Sequence, residues 1–289
     1  MSKILITGAT GQLGGAIINQ ILTQWTPESI CILARNEEKA ADFARRGISV
    51  RYGSYDDVSS MEKAMSGIDR VMFISSSEFA NRLQQHKNVV DAAKSAGVKH
   101  IGYTGVAMAN VNSSPLKALL GDHASTEQYI KESGMGYTFF RNTLYAEVIP
   151  LFLGQAVLEQ GVFFGSGDGK VPFALREELG EAIANVLLLE EEESKVYTLT
   201  GTELISFRDV ANILSEYSGS VVPYQAPGLS EYEAALKSFG LPEEIVGMSV
   251  LFSAGIRNTD FEQKEESLSV LLGRTPTPVK QFLKDVYLS

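Results

Sequence analysis

The sequence predicts an α/β protein, a doubly wound parallel sheet with a smaller α+β C-terminal region packed against it. Three observations carry this. Over residues 1–145, short apolar or β-branched runs alternate with stretches whose apolar residues recur at three- and four-residue spacing, the pattern of repeated βαβ units. The first apolar run breaks into glycines at three-residue spacing, Gly8, Gly11 and Gly14, just before a helical pattern. Beyond Arg141 the rhythm changes to longer helical stretches, few strands and Gly-rich turns such as Gly165-Ser166-Gly167-Asp168-Gly169.

Taken in order, strands are expected at residues 3–7, 29–34, 48–52, 70–75, 100–104 and 137–141, with helices at 15–24, 37–46, 59–66, 82–96 and 123–133. Gly47, Gly67, Gly97 and Gly134 each follow a helical stretch, where a left-handed C-cap residue is wanted. Later come a helix at 175–189, a strand at 196–200 that returns to the first sheet, and a helix at 206–217 capped by Ser206. A short strand at 221–225 and helices at 231–239 and 277–286 complete the chain. No Pro/Ser-rich hinge separates residues 1–145 from 146–289, so the two regions are expected to pack as one body.

The composition excludes several functions. Asp and Glu number 35 against 25 Lys and Arg, and the net charge of −10 offers no global attraction for nucleic acid or an anionic membrane face. No apolar run approaches the ~18 residues of a membrane span, and the run within residues 1–8 is too short for a secretion signal. Cys31 is the only cysteine, which forbids an internal disulfide, fits a reducing compartment, and reads as a small apolar filler. The expectation is a cytoplasmic protein whose partner is a small molecule, with no metal, because His86, His100 and His123 are dispersed without a carboxylate cluster. His86 and His100 are read as surface or strand-end residues. Whether copies of the chain associate stays open.

The strongest local signal is Ile4-Leu5-Ile6-Thr7-Gly8-Ala9-Thr10-Gly11-Gln12-Leu13-Gly14-Gly15. In a Rossmann-type turn one glycine lets the chain leave the strand sharply, one lets backbone N–H groups reach a pyrophosphate, and one lets the helix pack close. The anion then sits at the helix N-terminus, among unpaired N–H groups and the positive dipole end. An NAD site usually places a carboxylate at the end of the second strand, about 20 residues on. Here that end reads Ala34-Arg35-Asn36, and Arg35, with Lys39 one turn later, suits a 2′-phosphate, so NADP(H) is the expected cofactor. Two readings stand for Asp56-Asp57, with Asp57 as the cofactor contact: reaching the adenine edge, or capping the next helix.

The turn over residues 8–14 and Arg35 are joined by Val98-Lys99-His100-Ile101-Gly102-Tyr103-Thr104-Gly105 and Gly136-Tyr137-Thr138-Phe139-Phe140-Arg141-Asn142-Thr143-Leu144-Tyr145. Gly167-Asp168-Gly169-Lys170 and the segment Ala234-Ala235-Leu236-Lys237-Ser238-Phe239-Gly240-Leu241-Pro242 extend the pattern. Together, over nearly the whole chain, they resemble the NmrA-like atypical short-chain dehydrogenase/reductases, and within them the type 2 NADPH:quinone oxidoreductases and triphenylmethane reductases. The resemblance implies an NADPH-dependent reductase with a smaller C-terminal region closing over the nicotinamide. It makes Ser75 and Ser76, with Ser77, a wall near the nicotinamide half, and Tyr103, Thr104 and Gly105 the facing wall. Asn142 and Tyr145 then line the cleft between the regions, with simple core packing the other reading of Tyr145. The loop after Ser75 lacks the Gly-Pro of some relatives. Independently, ligands of parallel sheets bind beyond the carboxyl ends of the strands, which points to the same loops.

Most short-chain dehydrogenases use a tyrosine with a lysine four residues on, and none of the eleven tyrosines here has Lys at that spacing. Sugar epimerisation and alcohol oxidation need such a positioned acid/base. A quinone or other conjugated electrophile takes hydride directly, because its charge is delocalised, and that is the expected substrate class. One alternative proton donor is His123, expected at the start of the helix after the fifth strand, where isoflavone-type relatives carry a lysine. The rival functions are a non-catalytic NADP(H)-binding redox sensor of the NmrA type and a nucleotide-sugar epimerase-like enzyme.

Overall fold

Apolar runs without polar alternation become strands buried on both faces: the five residues of Ile30–Ala34 and the three of Ile4–Ile6 are all buried, as parallel strands between two helical layers must be. The computed structural model describes residues 3–190 and 192–288; Met1 and Ser2, at the head of the region expected over 1–145, lie outside them. The first half runs β1 (Ile4–Ile6), α1 (Gln12–Ile21), β2 (Ile30–Ala34), α2 (Glu37–Arg45), β3 (Ser49–Tyr52) and α3 (Val58–Met65). It continues through β4 (Arg70–Phe73), α4 (Arg82–Ser95), β5 (His100–Val106), α5 (Lys117–Ser133) and β6 (Gly136–Asn142). The second half holds α6 (Ile149–Leu153), α7 (Val157–Gln160), β7 (Val162–Phe163), β8 (Lys170–Val171), α8 (Arg176–Leu188) and β9 (Lys195–Leu199). Then follow β10 (Ile205–Ser206), α9 (Phe207–Ser218), β11 (Tyr224–Gln225), α10 (Leu229–Ser238), α11 (Glu243–Arg257), α12 (Ser267–Leu272) and α13 (Val279–Tyr287).

The main sheet has seven strands in the order β3-β2-β1-β4-β5-β6-β9, with parallel pairing throughout. Strand order reverses between β1 and β4, the switch point where a doubly wound sheet opens a crevice beyond its carboxyl ends. β9 pairs with β6 from Thr138–Lys195 to Asn142–Leu199, so a strand of the second half completes the sheet of the first. One face is covered by Ile17 and Ile18 of α1 with Leu179, Ile183 and Leu187 of α8. A Cβ on Gly180 would lie 2.5 Å from that of Ala16, so α8 meets α1 at a distance only glycine allows. The other face carries Met61, Val89, Val90 and Ile130 of α3, α4 and α5 over Leu5, Val71 and Ile101; Cys31 fills part of this core.

A separate aromatic core, with the Phe164 and Phe207 rings 4.0 Å apart between centroids, holds the C-terminal body together. Ser206 caps α9 and, with Asp209, forms a capping box there. The long loop after β5 is clamped to this body, because Ala109 N–H donates to the Asp260 carbonyl at 2.9 Å and Ser114 Oγ donates to the Asp260 carboxylate.

The structure moves several expected boundaries. α5 starts at Lys117, so His123 sits in its second turn and not at its start. Leu116 and Leu120, buried at four-residue spacing, anchor that extra turn, which Pro115 and Gly121 obscure in the sequence. β4 stops at Phe73, because the Ser75 N–H turns to the Thr104 hydroxyl. The long helix α11 went unforeseen; Gly247 and Gly255 interrupt its apolar pattern, and a Cβ on Gly255 would lie 2.3 Å from Leu116 Cδ1. Among the described residues no helix is long and apolar enough to cross a membrane.

Candidate functional site

Leaving β1, the chain must turn at once into α1, and glycine makes this possible at two points. Gly8 takes φ +60° against Ile74, and a Cβ on Gly14 would lie 2.3 Å from the Gly8 carbonyl oxygen and 2.7 Å from Ala9 Cα. Gly11 is the N-cap of α1 and has no side chain to satisfy the first-turn N–H groups, and that turn holds no acidic residue. The donors and the positive helix end are therefore left for an anion. Leu13 and Gly14 are buried behind the turn, whereas Gln12 Oε1 accepts from Arg176 Nη1 at 2.6 Å.

The turn opens onto a cavity of about 530 Å³ at the switch point, which Gly8, Thr10, Arg35, Ser75 and Ser76 line together. Ser75 is set by Thr104, whose hydroxyl accepts its N–H at 2.9 Å, and Ser76 by His86, whose Nε2 accepts its N–H at 3.1 Å. Tyr55 lies on the same wall, its hydroxyl between Thr7 Oγ1 and the Ile74 carbonyl, and burial pushes its phenol up. Asp56 lines the cavity and Asp57 does not: the Asp57 carboxylate accepts the Ser60 N–H at 3.1 Å as the N-cap of α3. Arg35 and Lys39 stand at one end, with Glu78 3.1 Å from Arg35 Nη1. Uncapped N–H donors, a tight turn in which Gly8 and Gly14 leave no room for a Cβ, and two cations form a donor set that fits a phosphorylated dinucleotide.

Tyr103 is fully buried, and its hydroxyl lies 2.8 Å from His123 Nδ1 and 3.4 Å from His86 Nδ1. His86 is fully buried inside α4, and so not the surface or strand-end residue expected, whereas His100 does open β5 as a strand-end residue, buried at 6% exposure and bonded to the Thr138 hydroxyl at 2.8 Å. Burial, with the neighbouring His123 and Arg82, pushes His86 down to about 3; burial and Arg82 do the same to His123, also to about 3. Both imidazoles are therefore neutral near pH 7. His123 lines a second cavity of about 230 Å³ beyond β5, beside the Glu127–Arg141 pair, whose carboxylate accepts two N–H bonds at 2.8 and 2.6 Å. Gly105 backs this pair, since a Cβ there would lie 3.4 Å from Glu127 Oε1.

Asn142 ends β6 and Tyr145 follows it, and neither lines the two cavities. Tyr145 bridges to Ala174, and the Arg176 guanidinium stacks 4.5 Å over its ring. Burial pushes its phenol up, opposed by the Asn142 amide beside it. Through Arg176 and Gln12, Tyr145 is thus tied to the phosphate-type turn. Arg82 went unnoticed in the sequence: it is 3% exposed, its Nε donates to the Ser76 carbonyl at 3.0 Å, and its Nη1 to the Leu119 carbonyl at 2.7 Å. The signal available was the cluster Arg82, Gln85 and His86 at three- and four-residue spacing, a polar stripe on the face of α4 that packs inward.

The profile of the NmrA-like family matches residues 1–283. Quinone oxidoreductase 2 of Escherichia coli (strain K12) is 37% identical over 285 residues, covering 98% of each chain. Among solved structures, the NADPH-dependent quinone oxidoreductase QOR2 of Escherichia coli complexed with NADPH superposes with a TM-score of 0.92 at 34% identity, over 98% of this chain and 99% of that one. The Citrobacter sp. triphenylmethane reductase complexed with NADP(H) gives 0.92 at 35% identity, over 98% and 100%. With the family profile spanning residues 1–283 and a relative 37% identical over nearly its full length, the chain belongs to the NmrA-like family.

Proposed function

We propose that this protein is an NADPH-dependent reductase that passes hydride to a quinone or a similar conjugated, electrophilic acceptor. The observation that carries the reading is the cavity in which Gly8 and Thr10, of the turn that leads into the uncapped α1, and the Arg35–Lys39 pair face one space. The full-length likeness to a quinone oxidoreductase and a triphenylmethane reductase supports the acceptor class. In this reading residues 1–145, with β9, bind the dinucleotide, and residues 146–289 shape the acceptor cleft.

When bound, NADPH supplies the hydride; the residues bind, orient and exclude water. Gly8, Thr10, Gly11, Gln12, Leu13 and Gly14 hold the pyrophosphate with backbone N–H groups, and Arg35 with Lys39 takes the 2′-phosphate. Asp56 takes the adenine-edge role first given to Asp57. Ser75 and Ser76 border the nicotinamide half, held from behind by Thr104 and His86, while Tyr103 and Gly105 support the opposite side. Asn142, buried, and Tyr145, under the Arg176 guanidinium, hold the junction between the two regions behind the cleft. In this reading His123, neutral, hydrogen-bonded and lining the second cavity, steadies the acceptor oxygen, and water supplies the final proton. A cytoplasmic setting, where NADPH is replenished and Cys31 stays reduced, suits this chemistry.

Steady-state NADPH oxidation with benzoquinone and with a triphenylmethane dye tests the proposal. Absence of turnover across a broad acceptor panel, with tight NADPH binding retained, would overturn it in favour of a sensor.

A further inference from the structure

A carboxylate stands inside the cationic end of the cavity. Arg35 Nη1 and Glu78 Oε1 are 3.1 Å apart, although the residues follow different strands, β2 and β4. Glu78 is held in place: its Oε2 accepts from Gln85 Nε2 at 2.8 Å, and its N–H donates to Ser76 Oγ at 3.1 Å. Gln85 is 2% exposed, and the same Nε2 also meets both carboxylate oxygens of Asp56 at 3.1 and 3.3 Å. The carboxylate is thus held by a buried side chain, while the Arg35 side chain is 72% exposed.

Resting on the reading of Arg35 as the 2′-phosphate partner, we propose that Glu78 is a specificity-determining residue, one that competes with the 2′-phosphate for Arg35 and narrows the preference for NADPH over NADH. A 2′-phosphate is a second anion for one guanidinium. Binding it breaks the Arg35–Glu78 pair and brings a doubly charged group toward a fixed carboxylate. A 2′-hydroxyl leaves the pair intact and finds a hydrogen-bond acceptor in the same carboxylate, the service that a strand-end acid performs in NAD sites. Exposed ion pairs are weak, so the competition is worth about three- to fivefold in affinity.

The test is a direct binding titration of NADPH and NADH, followed by nucleotide fluorescence, on the full-length protein and its Glu78→Gln variant. The substitution is expected to tighten NADPH about three- to fivefold and to leave NADH unchanged or weaker. Glu78→Ala must shift NADPH in the same direction, with thermal melting confirming that both variants fold. Equal changes for the two cofactors, or weaker NADPH binding, would overturn the proposal. In an Arg35→Ala background the gain should largely vanish; the full gain there would mean simple repulsion and would overturn the competition. If the unaltered protein bound no NADPH, the reading of the cavity itself would fall, and the proposal with it.

Discussion

The Tyr103 hydroxyl and the His123 Nδ1 lie 2.8 Å apart, in a buried cluster that also holds His86. The direction of this bond follows from the neighbours. Ser76 N–H occupies Nε2 of His86, so His86 keeps its proton on Nδ1 and offers it to Thr126 Oγ1 at 2.8 Å. Thr126 in turn donates to the Asp122 carbonyl. Tyr103 then donates to His123, whose remaining hydrogen sits on Nε2.

A neutral His123 has a kinetic consequence. With its pKa pushed down to about 3, it does not ionise between pH 5.5 and 8. The kcat for a quinone, measured at saturating NADPH, should therefore stay level over that range. An inflection near 6.5 would mean that His123 charges in the working enzyme.

Stability should depend on pH through His86. Its pKa is about 3 in the folded protein and about 6.5 when unfolded, so below pH 6.5 the unfolded chain takes up a proton that the folded one refuses. The stability this gives is complete above about pH 6.5 and is lost as pH falls toward 3. Between pH 6.5 and 5 His86 contributes about 2 kcal/mol of loss, and His123, held equally low, adds to it in the same direction. Denaturant midpoints at the two values check the loss, and an NMR titration should find the His86 ring resonances flat from pH 8 to 5.

The two adjacent glycines of α1 make a controlled comparison. Gly14→Ala drives a Cβ into the Gly8 carbonyl and should abolish NADPH binding while lowering the melting temperature. Gly15→Ala meets nothing within 4 Å and replaces a helical glycine, so it should stabilise by up to about 1 kcal/mol and leave binding intact. Calorimetric titration and thermal melts of both variants decide the matter.

Arg82→Met should cost about 2 kcal/mol or more, since the carbonyls of Ser76 and Leu119 would lose a charged donor in a buried place. It should also raise the pKa of His86 and His123, because the Arg82 charge helps hold both down. Urea unfolding and the same imidazole titration measure the two effects. A destabilised protein with unmoved imidazoles would separate packing from electrostatics.

Much of this was legible in the sequence, for physical reasons. The run Ile30-Cys31-Ile32-Leu33-Ala34 can only be a strand covered on both sides, and Gly8, Gly11 and Gly14 at their spacing specify a strand-to-helix turn. What stayed hidden depends on long-range geometry. Arg82, Gln85 and His86 look like one polar face of a surface helix until the loop after β4 and the helix α5 close over them. Asp56 and Asp57 are chemically alike, and only the direction of the chain entering α3 decides which of them faces the cavity. Likewise nothing local announces that Glu78 meets Arg35, a contact between two loops 43 residues apart.

The close seat of Gly180 against Ala16 has a consequence for how the molecule is made. Synthesis runs from the N-terminus at about 5–20 residues per second, so Ile17 and Ile18 leave the ribosome on the order of ten seconds or more before Leu179, Ile183 and Leu187, which cover them. During that interval the nascent half carries a greasy helix face and an unpaired β6 edge. The packing of α8, and later of Leu268 in α12, onto this core is therefore a docking of distal chain onto proximal chain.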